Sequence, residues 1–285
     1  MARNTGSPAP DARRRAPSHS PSAGGTSTPG TSRHRAPSRG AASRKAPSRR
    51  RRRWIPPQHG AWAMLLVPYL AGLLAFGFSW PDLPLLVAWI AGYLLSYYAL
   101  LAVKTRRLGK FRPQVLAYGG TALAAGATVL LARPQLLAFA PVFAVALLVN
   151  GLFAARRDDR ALLNGLVSVA AATLILPVVA VVAGESPWST GEVAVVTFLY
   201  FAGTVLFVKT CIRERDNTKL FAVSTGFHAG AAVLAAWLSP VYAVPFAWYL
   251  ARAVVLRRRR YSAKQIGFVE VASSVLLLVA VAIAA

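Results

Sequence analysis

The sequence predicts an all-α polytopic membrane bundle of about nine transmembrane helices, preceded by a disordered basic tail. Three observations carry that reading. The 285 residues are 55% hydrophobic and only 15% charged, with a mean hydropathy of +0.47. They nevertheless hold 33 Lys and Arg against 9 Asp and Glu, a net charge of +24. The two properties occupy different stretches: residues 1–54 carry 14 basic residues and one acid, and from there on long apolar runs alternate with short charged turns. Neither an ordinary soluble domain nor a disulfide-stapled secreted one has this distribution, and the single Cys211 allows no internal disulfide.

Residues 1–53 contain no Leu, Ile, Val, Phe, Tyr or Trp. With nothing apolar to bury, the segment cannot offset an ordering cost of roughly 1–2 kcal/mol per residue, so 1–54 is read as a disordered cytoplasmic tail and 55–285 as the membrane domain. No apolar stretch of about 7–15 residues follows its first charges, so it does not read as a signal peptide. The motif Arg/Lys-Ala-Pro-Ser recurs at residues 15–18, 35–38 and 45–48. The charge suits an orientation signal and, through Arg49–Arg53, residence on anionic lipid headgroups. Nucleic acid is an unlikely partner, because the tail has no aromatic residue on which bases stack.

The apolar runs place spans at about 60–78, 83–103, 115–132, 135–153, 161–183, 192–209, 219–238, 240–256 and 265–284. Each approaches the roughly 17–25 residues a bilayer crossing needs. Continuous rather than alternating hydrophobicity argues for helices over strands. Pro240 leaves almost no turn before the eighth segment, for which a re-entrant path is the alternative. Charge then predicts orientation. The turns Lys104–Arg112, Arg156–Arg160, Lys209–Lys219 and Arg257–Lys264 hold seventeen basic residues, whereas the intervening turns hold only Arg133. Basic turns stay in the cytoplasm, which sets the N-terminus inside and the C-terminus outside. Arg257–Arg260 reads as an anchor of that topology, and the tryptophans near span ends as an interfacial belt.

Ionisable groups at membrane depth are costly and point to function. His228 falls near the middle of the seventh span, and Glu270 about 9 Å inside the ninth, at roughly 1.5 Å rise per residue. Gln58 and His59 stand at the mouth of the first span. Asn150, Asn164, Lys104 and Lys209 lie near the same, cytoplasmic side. Val103-Lys104-Thr105 is echoed by Val208-Lys209-Thr210, each leading into a basic turn with Arg107 or Arg213. Two such ends would grip one anionic group, Lys as a point charge and Arg as a fork. The expected substrate-binding set is therefore Gln58, His59, Lys104, Arg107, Asn150, Lys209 and Arg213, around a cavity open to the cytoplasm. The competing structural reading has the asparagines bonding neighbouring helices and the lysines snorkelling. No zinc spacing, catalytic triad, Gly-rich phosphate loop or dinucleotide fingerprint is present, so no metal or cofactor is assigned.

The stretch Pro57-Gln58-His59-Gly60-Ala61-Trp62-Ala63-Met64, followed by Pro68, resembles the YwiC-like family of bacterial integral membrane proteins. The resemblance extends from about residue 54 onward and implies a location in the bacterial plasma membrane, with no reaction attached. In architecture the chain is also similar to the intramembrane prenyltransferases of the UbiA superfamily, which carry aspartate-rich Mg²⁺-diphosphate motifs at the inner ends of spans two and six. Lys104–Arg107 and Lys209–Asp216 occupy those places here, with only Glu214 and Asp216 as carboxylates. A Mg²⁺ site would be short of oxygen ligands. Three functions follow as expectations. The first is a membrane protein binding an anionic lipid or metabolite. The second is an enzyme acting on a lipid-borne (di)phosphate, with His59 transferring protons. The third is a proton-coupled transporter using His228 or Glu270.

Overall fold

The computed structural model describes residues 54–56, 59–258 and 261–285, with the side chains of His59, Leu108 and Arg258 set aside. The expected disordered tail, Gln58 and Arg259–Arg260 lie outside those residues. All regular structure among the described residues is helical. The helices are α1 His59–Phe76, α2 Asp82–Thr105, α3 Leu108–Ala132, α4 Ala140–Ala155, α5 Leu162–Thr173, α6 Ile175–Ala183, α7 Gly191–Val208, α8 Thr218–Leu238, α9 Ala243–Val255 and α10 Ala263–Ala284. Among the described residues seven helical stretches are long and apolar enough to cross a membrane, and α1 and α9 are shorter apolar helices.

The nine expected spans correspond to these rods, with α5 and α6 forming one. Their break at Leu174 was not foreseen. Pro177 has no N–H to give the carbonyl of Thr173, four residues back, so the ladder is interrupted where the two helices meet. The other ends follow ordinary capping chemistry. Gly184 closes α6 with φ +95°, a conformation glycine takes without a Cβ penalty. Ser239 is extended ahead of Pro240 and so ends α8. Asn217 caps α8 by accepting from Leu220 N, and Ser262 and Gln265 form a capping box at the start of α10. Past Val208, α7 continues as one π turn, Lys209–Arg213, closed by Glu214 N to the Lys209 carbonyl at 2.9 Å.

Apolar residues on every side cannot by themselves choose helix neighbours inside a membrane, where lipid is as apolar as leucine; close backbone approach and polar contacts do. Gly72 of α1 lies so near α6 that a Cβ there would stand 3.0 Å from Val179, and Gly165 of α5 bears the same relation to Val205 of α7. The largest core joins α1, α5–α6, α7, α8, α9 and α10 through Ala71, Leu176, Tyr200, Phe246, Tyr249 and Leu277. α2 and α3 form a hairpin that meets α1 and α6 in a second core, around Tyr69, Leu85, Val129 and Val179. At the α1–α2 turn, buried Asp82 accepts from Ser79 N at 2.8 Å, while Ser79 Oγ and Arg133 Nε both donate to the Val182 carbonyl. Three helix ends are tied there.

Candidate functional site

The innermost polar cluster is built by α7, α9 and α10. On α10, Glu270, Ser273 and Ser274 stand at i, i+3 and i+4 and share one face. Tyr200, Gly203, Thr204 and Phe207 form the matching stripe of α7, and Trp248, Tyr249 and Arg252 that of α9. The Arg252 side chain is fully buried, with Glu270 at 13% exposure.

Arg252 Nη1 pairs with Glu270 Oε1 and also reaches Ser273 Oγ at 3.2 Å; its Nη2 donates to Thr204 Oγ1 at 3.1 Å. Thr204 Oγ1 in turn donates to Glu270 Oε2 at 2.7 Å, and Tyr200 OH donates to the same oxygen at 3.3 Å. Tyr200 OH is shared with Ser274 Oγ at 2.9 Å, and Trp248 Nε1 holds Ser273 Oγ at 3.1 Å. Three rings, of Phe207, Tyr249 and Tyr200, stand 4.9, 5.0 and 5.5 Å from the guanidinium carbon and offer their π faces to the cation. The carboxylate is the one acidic partner of Arg252 among the described residues, and Arg252 Nε has no hydrogen-bond partner. Loss of the charge on Glu270 would leave a desolvated cation without compensation.

His228 of α8 adjoins this cluster. Its Nδ1 lies 2.7 Å from the Ser224 carbonyl, which requires the proton on Nδ1 and leaves Nε2 as an acceptor. That Nε2 has no partner and faces Gly203, the residue next to Thr204. The two residues expected from the sequence as proton-coupling groups, His228 and Glu270, thus flank the same short stretch of α7.

The other expected site residues fall into separate groups. Lys104 pairs with Asp159, and the carbonyl of Asp159 accepts from Asn164 Nδ2 at 3.0 Å. Asn150 Oδ1 accepts from Ser168 Oγ at 2.9 Å, joining α4 to α5. Lys209 pairs with Glu214 at 3.2 Å. The Glu214 carboxyl is held below its usual range by the Asn217 amide first and by Lys209 second. Arg107 and Arg213 are exposed, and His59 opens α1. Lys104 and Lys209 accordingly belong to two clusters, each with its own carboxylate. Among the described residues no group of three or more His, Cys, Asp or Glu side chains gathers as a metal site would need.

The sequence reading missed Arg252. It lies inside the apolar run 240–256, five residues before a basic turn, and was not among the ionisable groups singled out at membrane depth. The available signal was an opposite-charge pair in consecutive spans, each residue a few positions from the basic turn that joins them.

Long apolar helices around a desolvated ion pair define an integral membrane protein of the polytopic α-helical class. A family profile described as YwiC-like protein matches residues 55–180. A Haemophilus influenzae protein described as uncharacterized is 30% identical over 240 residues, covering 79% of this chain and 98% of its own length. A Bacillus subtilis protein described as uncharacterized protein YwiC is 29% identical over 236 residues, covering 79% and 95%. The chain belongs to the YwiC-like family. No solved structure matches it. The Arg252–Glu270 cluster lies beyond the stretch that the profile matches.

Proposed function

We propose that this YwiC-like membrane protein binds a small anion at Arg252, with a proton on Glu270 as the switch, and that it serves proton-coupled movement of that anion across the membrane. The observation that carries the reading is the complete burial of Arg252 opposite one carboxylate. Protonation of Glu270 removes the counter-charge, and an anionic ligand restores it. Proton and anion are then linked, each raising the affinity for the other. Thr204, Ser273 and Tyr200 supply hydroxyls that serve as donor or acceptor in either state. His228, with a free acceptor nitrogen beside Gly203, is the second proton station. The alternation of basic turns with turns that hold a single basic residue supports a cytoplasmic N-terminus and an extracytoplasmic C-terminus, with α1 and α9 as full crossings. On that orientation the cluster lies toward the cytoplasmic half, where an anionic metabolite enters.

The test is thermal unfolding of the purified full chain with acetate or inorganic phosphate, in acidic and in alkaline buffer. Wild type is expected to be stabilised by one of these anions mainly in acid. Glu270→Gln, which imitates the protonated carboxyl, should be stabilised at either pH, and Arg252→Gln at neither. Equal stabilisation of wild type and Arg252→Gln overturns the reading.

A further inference from the structure

A second feature lies where α2 passes into α3. A cleft of about 350 Å³ is lined by Ala99, Ala102 and Val103 of α2 and by Gly109, Arg112 and Val115 of α3. That size falls within the roughly 300–1,000 Å³ of small-ligand clefts. Its origin is local. Arg106 takes a left-handed conformation that ends α2, with Arg106 N and Arg107 N bonding back to the carbonyls of Val103 and Ala102. Pro113 then has no N–H to give the carbonyl of Gly109. A Cβ at Gly109 would meet nothing within 4 Å. The first turn of α3 is thus left open beside the end of α2.

The cleft joins two chemistries. Its apolar part opens beside Val103 and Leu116, exposed at 42% and 63% on helices long enough to span a bilayer. Arg112 lines the cleft directly, and the adjoining turn and first turn of α3 carry Arg106, Arg107 and Lys110, all exposed, with no acidic residue between 104 and 112. Among the described residues no carboxylate pairs with any of the four, because the nearby Asp159 is held by Lys104. A soluble anion has no use for the apolar wall, and a neutral lipid has no use for four cations. An anionic headgroup on an acyl chain satisfies both.

We propose that this cleft is a binding site for one anionic phospholipid, its phosphate held by Arg106, Arg107 and Arg112 and the start of its acyl chain seated on Ala99, Ala102, Val103 and Val115. The site is independent of the Arg252–Glu270 cluster.

Native mass spectrometry and thermal unfolding of the full chain in detergent, with phosphatidylglycerol, phosphatidylcholine or inorganic phosphate added, test it. Wild type is expected to retain one phosphatidylglycerol and to be stabilised by it, with neither phosphatidylcholine nor inorganic phosphate reproducing the effect. The combined variant R106Q/R107Q/R112Q should lose affinity on the order of a hundredfold, as expected for three surface charges removed from an anionic headgroup. Gly109→Leu keeps every charge and fills the cleft; it too should lose the retained lipid. R156Q/R157Q, in another basic turn, should bind as wild type does. Undiminished lipid retention by Gly109→Leu, or equal protection by inorganic phosphate alone, overturns the proposal.

Discussion

Gly203 of α7 and His228 of α8 approach so closely that a Cβ on residue 203 would stand 2.9 Å from His228 Nε2. The imidazole edge leaves too little room for a methyl group there, and His228 is 3% exposed. Gly203→Ala therefore has to displace a buried ring, at a cost of about 1–3 kcal/mol for overpacking. Its unfolding temperature should fall below that of wild type. Gly203→Ala combined with His228→Ala should recover part of the loss, since the collision is then gone. Additive effects would show that the two side chains do not compete for the same space.

The Arg252–Glu270 pair predicts a stability pattern as well as a functional one. Removing either partner leaves the other charged and desolvated, at a cost of about 3–5 kcal/mol. Arg252→Met together with Glu270→Gln removes both charges and should regain most of that loss. A double-mutant cycle in detergent, read by chemical or thermal unfolding, measures the coupling. A coupling near zero would mean that solvent reaches the pair.

The Lys104–Asp159 pair makes the opposite case. Its side chains are 38% and 34% exposed, so screening limits its contribution to about 0–1 kcal/mol. Lys104→Ala should shift the unfolding temperature little, and high salt should not change that shift appreciably. A large loss would show that the contact between α2 and the turn joining α4 to α5 depends on this pair.

Glu214 gives a pH dependence with a definite sign. Its carboxyl titrates below its usual value of 4.5 because the Asn217 amide and Lys209 favour the charged form. The stabilising contribution is fully present above that usual value and disappears as the pH falls through the lower folded value. The stability difference between wild type and Glu214→Gln should thus be constant near neutrality and shrink in acid. A difference that grows in acid would contradict the assignment.

Much of the bundle was legible because apolar run length and turn charge are one-dimensional properties. The runs at 83–103 and 265–284 lie within α2 and α10, and the Pro240 turn falls where α8 ends. The break inside 161–183 was less legible, since Pro177 can kink or divide a span and only its packing shows which. Trp80, Trp188 and Trp237 are exposed near helix ends, as an interfacial belt requires. Trp248 instead donates to Ser273 within the polar cluster, a role no hydropathy pattern displays. Glu270 and His228 stood out as isolated ionisable residues in apolar runs. Arg252, inside the run 240–256 and close to its basic end, was not singled out, and Tyr200, Thr204 and Ser273 became visible only when three helix faces met. Lys104 and Lys209 looked equivalent from their shared tripeptide; their carboxylate partners lie 55 and 5 residues away, and only the former pairing required the fold.

The unequal burial of the helices divides the chain into two kinds of packing surface. In the spans built by α3 and by α4, 6% of the most apolar window is buried inside the protein, against 56% in those built by α5–α6 and by α7. Lipid asks of a side chain only that it be apolar, whereas a neighbouring helix asks for a shape. In a saturation mutagenesis screen, α3 and α4 should exchange Leu, Val, Ile and Ala almost freely along most of their length. Around Gly165, Gly203 and Val179 even a methyl group should matter, so the tolerance map alone would redraw the boundary between lipid and protein.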